Sequence, residues 1–544
     1  MRRILGLFLL AIACTSNAAE SGGAWASVSA DAIKGHVEFL ADDLLEGRAA
    51  ATRGYDLAAA YVAAQFRQYG LVPVGDEDSY FQSVPLIEAT PVLPGSAARL
   101  VHEDDTIEFE YGTDYLPSAD FFSASSTLTA PLVFAGFGVE APDLNHNDFE
   151  NIELDGRIAV ILSGAPAKFP NNQRAYHSSM LRKLAVLSEK GAVGVLVVSS
   201  LADEKRSPWE RMVAMSWAAQ MRWLDEQGTP QDAFPELKLL FRFKKDAASR
   251  LFERAPISLD QALEAAEAGE PQGFELPGML TLSATTGLRR TESANVLGLL
   301  EGSDPKLKDE YVVVTAHLDH LGRGSSVDGD SIYNGAHDNA VGVGVLLEMA
   351  RALRASRVRP QRSILFAAVT AEEKGLLGSA FLAQQAVDQQ QRIVANLNID
   401  MPLPLTRTWD FVAFGAEHST LGSMAKSAAN AQGYKLSPDP MPEEVVFVRS
   451  DQFSFVRHGI PGLMLHSGSQ PRDAAVDLKE LRRKFLSSSY HQPSDDLSVP
   501  IDYSSAADLT RIQLRIITEA ATGSRPRWHR GDFFAEKFKP AEGS

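Results

Sequence analysis

The sequence predicts an α/β protein built on a mostly parallel mixed sheet covered by helices on both faces. After Thr291, apolar runs suited to buried strands alternate with amphipathic helical patterns, which is how a doubly covered sheet reads. Between about residues 90 and 287 the runs are shorter and separated by Gly, Pro and Asn-Asp turn signals, so a separate strand-rich α/β module is expected there. At 544 residues the chain exceeds one ordinary core, and two or three domains are expected.

Residues 1–18 read as an export signal: Arg2 and Arg3, an apolar run from Ile4 to Ala13, then small and polar residues to Ala18. That run is too short to span a bilayer, and no other stretch reaches roughly 18 uninterrupted apolar residues, so no transmembrane segment is expected. The mature chain is expected in the periplasm or secreted. The single cysteine, Cys14, ends the signal and leaves two alternatives. Cleavage near Ala18, with Ser16 and Ala18 as the small residues, gives a soluble protein; cleavage before Cys14 gives a lipid anchor on its sulfur. Ala11-Ile12-Ala13-Cys14 resembles a bacterial lipobox with Ala11 where Leu is usual, and soluble export is preferred. One cysteine permits no disulfide within the chain. A formal charge of −18 repels phosphate backbones and anionic lipid, which argues against a nucleic-acid partner.

From Ala32 to Gly70 an amphipathic helical pattern runs around Leu57, Tyr61 and Phe66 and stops at Gly70-Leu71-Val72-Pro73. Strand candidates in the next module are Ala130 to Phe134, Ile158 to Leu162 and Val193 to Val198. Ser207 to Gln227, rich in Trp and Met, reads as a helix packed on that module, with a lid as the alternative. Beyond Thr291 the strand candidates are Tyr311 to Thr315, Ser363 to Val369, Ile393 to Ile399 and Gly462 to His466. The helix from Ala340 to Arg354 places Val341, Val345, Met349 and Leu353 on one face, which marks them as core.

Ligands in open α/β sheets bind outside the carboxyl ends of the strands, so the polar residues just after each strand carry the functional information. Those positions hold His317 and Asp319, then Asp338 before a helix, then Glu372 and Glu373, then Asp400. Singly, each suits a structural histidine or a helix cap. Together, five carboxylates converging on one crevice would repel one another strongly, and a pair of divalent cations removes that objection. Imidazole and carboxylate donors without thiolate fit zinc in a catalytic site. His491 lies later, in Tyr490-His491-Gln492-Pro493, where the proline two residues on is expected to hold the chain extended and let the imidazole face the crevice.

These strings resemble the successive motifs of the co-catalytic zinc aminopeptidases, the leucyl aminopeptidase and aminopeptidase Y type. The resemblance runs through Ala316-His317-Leu318-Asp319-His320-Leu321-Gly322, Asn334-Gly335-Ala336-His337-Asp338-Asn339, Thr370-Ala371-Glu372-Glu373-Lys374-Gly375-Leu376-Leu377-Gly378-Ser379, Asn398-Ile399-Asp400-Met401 and Tyr490-His491-Gln492-Pro493. It implies a zinc-exopeptidase, phosphorylase/hydrolase-like fold, with residues 30–90 and 288–524 as two parts of one peptidase domain and 525–544 as a C-terminal tail. Residues 91–287 resemble an inserted protease-associated domain, through Ala135-Gly136-Phe137-Gly138-Val139 and Lys190-Gly191-Ala192-Val193-Gly194-Val195-Leu196. By position, the resemblance implies two Zn2+ per chain: one on His317 and Asp400, one on Glu373 and His491, with Asp338 bridging. Glu372 would be the general base, Tyr490 a donor to the oxyanion, and Asp319 the residue orienting His317. Adjacent glutamates would divide their roles because successive side chains of an extended segment point apart.

Two departures from the family pattern bear on the pocket wall: His337 stands where many relatives have Asp, and Pro402-Leu403 follows Asp400-Met401. Arg449, Ser450 and Asp451 fall where relatives line the substrate pocket, and an ion pair or loop cap serves equally well for them. The function implied is removal of N-terminal residues from peptide substrates. The alternatives are a carboxypeptidase or a glutaminyl cyclase on the same fold, or a non-catalytic receptor-like binding protein, which loss of ligands would mark. A serine hydrolase is disfavoured because no Gly-x-Ser-x-Gly elbow follows a strand candidate. The sequence carries no signal of oligomeric state.

Overall fold

The computed structural model describes residues 23–216 and 218–539. The expected export signal of residues 1–18 with Cys14, and likewise Trp217 and the last five residues of the expected tail, lie outside the described residues.

Two capped helices open the described chain. Ser29 accepts from the Ala32 amide to start α1 (Ala30–Leu40), and Thr52 does the same from Tyr55 for α2 (Arg53–Tyr69). Gly70 ends α2 in the left-handed conformation, φ 76°, where a Cβ would be strained. The buried face of α2 is Tyr55, Ala58, Ala59, Val62 and Phe66. Leu57 is 38% exposed, a correction to the expected face, because small alanines rather than the leucine allow close approach to the sheet.

The strands that follow form one long sheet. They are β1 (Phe81–Val101), β2 (Ser125–Phe134), β3 (Ile158–Leu162), β4 (Gly194–Val198), β5 (Gln220–Trp223), β6 (Leu239–Phe243), β7 (Phe274–Leu300), β8 (Glu310–His317), β9 (Ser363–Val369), β10 (Arg392–Asn398), β11 (Asp410–Phe414) and β12 (Gly462–Ser467). Neighbour order runs from the short edge strand Lys435–Ser437 through β11, β12, β10, β8, β9, β7, β2, β3, β4 and β6 to Tyr115–Pro117. The pairs β8/β9, β8/β10 and β10/β12 are parallel, whereas β11/β12 and β7/β9 are antiparallel. β7 is shared: its C-terminal end pairs with β9 and its N-terminal end with β2.

Each half of the sheet has apolar packing on both faces. Around β8 to β10, one face carries α1, α2, α4 (Val341–Ala355) and α7 (Tyr503–Thr522), and the other carries α5 (Leu377–Asp388) and α6 (Gln452–Val456). Val341, Val345, Met349 and Leu353 of α4 are buried, each worth about 1.5–3 kcal/mol against exposure. Separate clusters cover the two faces around β3 and β4.

Among its described residues, the Trp- and Met-rich stretch is helical only over α3 (Trp209–Met215). Its second half is strand β5, pairing antiparallel with Leu86 to Ala89 and burying Met221 and Trp223 on one side. An unsatisfied edge of β1 overrides the local helical pattern there. No helix among the described residues is long and apolar enough to cross a membrane.

Candidate metal centre

The carboxyl ends of β8, β9 and β10, the chain entering α4 and the turn that holds His491 bring five polar side chains to one point. His317 ends β8 and is buried. Its Nε2 lies 3.2 Å from Asp338 Oδ1 and 3.1 Å from Asp400 Oδ1. His491 Nε2 lies 3.3 Å from Asp338 Oδ2 and 3.2 Å from Glu373 Oε2. Donor atoms of His317, Asp338 and Glu373 all fall within 4.8 Å of one another. Asp338 therefore turns one oxygen to each of two groups: His317 with Asp400, and His491 with Glu373. That donor set fits two divalent cations sharing one carboxylate, with nitrogen and oxygen ligands of the kind zinc takes.

The electrostatics agree with the fit. Burial alone lowers the pKa of His317, but Asp400, Glu372 and Asp338 outweigh it and hold the imidazole well above its ordinary value. At the partly exposed His491 desolvation likewise lowers the pKa, but Glu373 and Asp338 outweigh it and push the imidazole up to about 10. Burial and Glu373 raise Asp338, yet hydrogen bonds from His317 and His491 leave it below the usual carboxylate range. The cluster demands positive charge, which its imidazoles supply here and cations supply better.

The ligand residues are held by their backbones. Asp495 accepts from the amides of His337 and Asp338, 3.0 Å each. Asn339 donates to the Ile399 carbonyl at 2.7 Å and accepts from the Met401 amide at 3.2 Å, joining the Asp338 and Asp400 loops. The Asp338–Asn339 peptide is cis. Ser450 and Gln452 both accept from Asn398, two residues before Asp400. Asp451 between them is buried, which with Asp400 and Asp319 raises its pKa to about 7 despite His317. Arg449 pairs with Glu444 at 3.2 Å.

Glu372 and Glu373 sit in a tight turn, not an extended segment, with Ala371 left-handed at φ 54°. Asp319 holds that turn, its two oxygens accepting separately from the Glu372 and Glu373 amides at 3.0 and 3.3 Å. Asp319 touches His317 differently from the expectation. Its carbonyl lies 3.1 Å from His317 Nδ1, while its carboxylate is 4.0 Å away. Glu372 is raised well above its ordinary pKa by burial and by Asp400, Glu373 and Asp451, against His317.

His491 is likewise presented by a turn, with φ 59°, and not by an extended chain before Pro493, because the segment closes on itself through Gln492 and Asp495. Tyr490 stacks on its imidazole at 3.9 Å, and burial with Asp338 and Glu373 holds the phenol well above its ordinary pKa. Two further contacts had no sequence signal. His320 Nδ1 lies 2.6 Å from Glu373 Oε1, and Arg211 of α3 donates to the Tyr490 carbonyl at 3.0 Å. His337 turns away from the cluster to pack on Phe485, and burial lowers its pKa to about 4.

Residues 295–517 match the profile of Peptidase family M28. Aminopeptidase NAALADL1 of Rattus norvegicus is 34% identical over 323 residues, 52% of this chain and 40% of that protein. Aminopeptidase YwaD of Bacillus subtilis (strain 168) is 35% identical over 136 residues, 25% of this chain and 27% of its own length. The chain thus spans two fifths of the first of these curated relatives and about a quarter of the second. Among solved structures, an aminopeptidase from Aneurinibacillus sp. strain AM-1 has the same fold, with TM-score 0.53 at 18% identity over 94% of this chain and 98% of that one.

Proposed function

We propose that this chain, which belongs to peptidase family M28 through residues 295–517, is an exported zinc aminopeptidase that uses two cations sharing Asp338 and Glu372 as general base. The observation that carries the reading is the split of Asp338, one oxygen toward His317 and the other toward His491. Bound there, zinc supplies a Lewis acid that polarises the scissile carbonyl and lowers the pKa of water. The chain's own residues do the rest. Glu372, whose proton affinity is raised by burial and by Asp400, Glu373 and Asp451, can take a proton from water and pass it to the leaving amine. Asp319 anchors the turn by accepting from both amides, with Glu372 serving the proton and Glu373 the cation. Tyr490 keeps its phenolic proton and can donate it to the oxyanion. The surrounding carboxylates favour a substrate that arrives with a free N-terminal ammonium.

The test is a panel of aminoacyl substrates, N-acetylated peptides and C-amidated peptides, assayed before and after chelation. Cleavage of free-amine and C-amidated substrates, lost on chelation and absent for N-acetylated ones, is expected. Cleavage that instead requires a free C-terminus would place the protein among carboxypeptidases. Export rests on residues 1–18, and recovery of active, unprocessed chain only from the cytoplasm would reject it.

Residues 91–287 are proposed to be a protease-associated domain that narrows the approach to the centre. The support is α3, whose Arg211 holds the Tyr490 carbonyl and whose Ala214 carbonyl lies 3.5 Å from Ser325 Oγ. Arg211→Ala is expected to leave zinc content intact and to raise the rate on long peptides relative to dipeptides by about 10-fold, the low end of the discrimination that one pocket contact gives. An unchanged ratio in a folded variant would remove the support for this role.

A further inference from the structure

Arg48 is among the largest fully buried side chains of the protein and lies in the link between α1 and α2. Its guanidinium spends its donors on main-chain carbonyls. Nε donates to Leu318 at 3.0 Å, Nη1 to Leu40 and Asn334, and Nη2 to Gly335 at 3.2 Å. Leu318 separates His317 from Asp319, and Asn334-Gly335 leads directly into Asp338. One planar fork thus bridges two segments that supply cation ligands, which a single ammonium could not span.

The link around Arg48 reinforces the tie. Its own carbonyl accepts from the His320 amide at 3.2 Å, and the Gly47 carbonyl accepts from Gly322 at 3.0 Å. Asn334 Nδ2 returns the contact, to the Ala41 carbonyl at 3.0 Å and Asp43 Oδ1 at 2.8 Å. Glu46, Gly47 and Arg48 all have positive φ, 49°, 71° and 52°. A Cβ on Gly47 would meet the Tyr333 carbonyl at 2.4 Å. Strained backbone of this kind persists where its surroundings over-determine it, and it clusters at functional sites.

We propose that Arg48 is a positioning residue of the metal centre, its guanidinium fixing the spacing between the His317 and Asp338 segments so that their donors meet one cation. The proposal rests on the two-cation reading above. It differs from a general brace, which would affect stability alone, and from simple charge balance. Arg48 lies in the field of Asp319, Asp495, Asp338 and Glu373, so a purely electrostatic role would make its removal tighten cation binding.

Arg48→Met and Arg48→Lys separate these roles through zinc affinity by chelator competition, the visible spectrum of cobalt-loaded protein, and thermal unfolding. Wild-type protein that takes up no zinc fails the functional reading before any variant is measured. Given uptake by wild type, both variants are expected to bind zinc about 10- to 100-fold more weakly, the usual effect of losing an outer-sphere partner, with an altered cobalt spectrum. Lysine keeps the charge but not the fork, so it should not restore affinity. Wild-type affinity and spectrum in both variants, with only a lowered Tm, would overturn the proposal. So would tighter binding by Arg48→Met alongside wild-type binding by Arg48→Lys. If Arg48→Met does not fold, Arg48→Lys decides alone: weaker binding supports the fork, and wild-type binding overturns it.

Discussion

Glu372→Gln is expected to retain two zinc equivalents and near-normal substrate affinity while losing about 10² to 10⁴ in kcat, the usual worth of a positioned general base. The amide is nearly isosteric but cannot accept a proton, so the change isolates the proposed step. The two residues are adjacent in the turn after Ala371, where Asp319 holds each amide with a separate oxygen, so a one-residue exchange of roles is what the pair of variants tests. Glu373→Gln is expected to behave differently. Glu373 meets His491 at 3.2 Å and His320 at 2.6 Å, so its loss weakens one cation site, and activity should return in part with excess zinc. Metal analysis beside kinetics distinguishes the two. If Glu372→Gln loses a zinc while Glu373→Gln keeps both and is inactive, the two roles are reversed.

Asp338→Ala is expected to be the most damaging single change at the centre. Its oxygens face His317 at 3.2 Å and His491 at 3.3 Å, so truncation removes a ligand from both groups at once. Both zinc equivalents should bind more than about 100-fold more weakly, beyond what outer-sphere losses cost. Excess zinc should rescue it less well than Glu373→Gln. Melting data are needed alongside, since Asp338 also lies in the backbone network of Asp495 and Asn339. Loss of one equivalent with the other bound normally would show that Asp338 serves a single cation.

Much of this was legible in the sequence because buried parallel strands read as unbroken apolar runs. Ile158–Leu162 and Ser363–Val369 have the bounds their composition suggests, and His317, Glu373 and Asp400 at the ends of β8, β9 and β10 do meet around Asp338. What escaped was set by distant partners or by backbone geometry. Arg48 acts on a carbonyl 270 positions away, and Asp495 on amides more than 150 away, through groups every residue carries. Nothing in the residue types marks such pairings. The turns that present Glu372 and His491 depend on positive φ at Ala371 and at His491 itself, residue types that do not advertise that conformation. The stretch after α3 became a strand because β1 offered it an edge.

Zinc titration of chelator-stripped wild-type protein, with activity and bound metal followed in the same sample, tests the shared-carboxylate centre most directly. Two equivalents bound per chain, with full activity reached only as the second site fills, is the expected result. Full activity at one equivalent, with no further metal taken up, would contradict a centre in which Asp338 joins two cations.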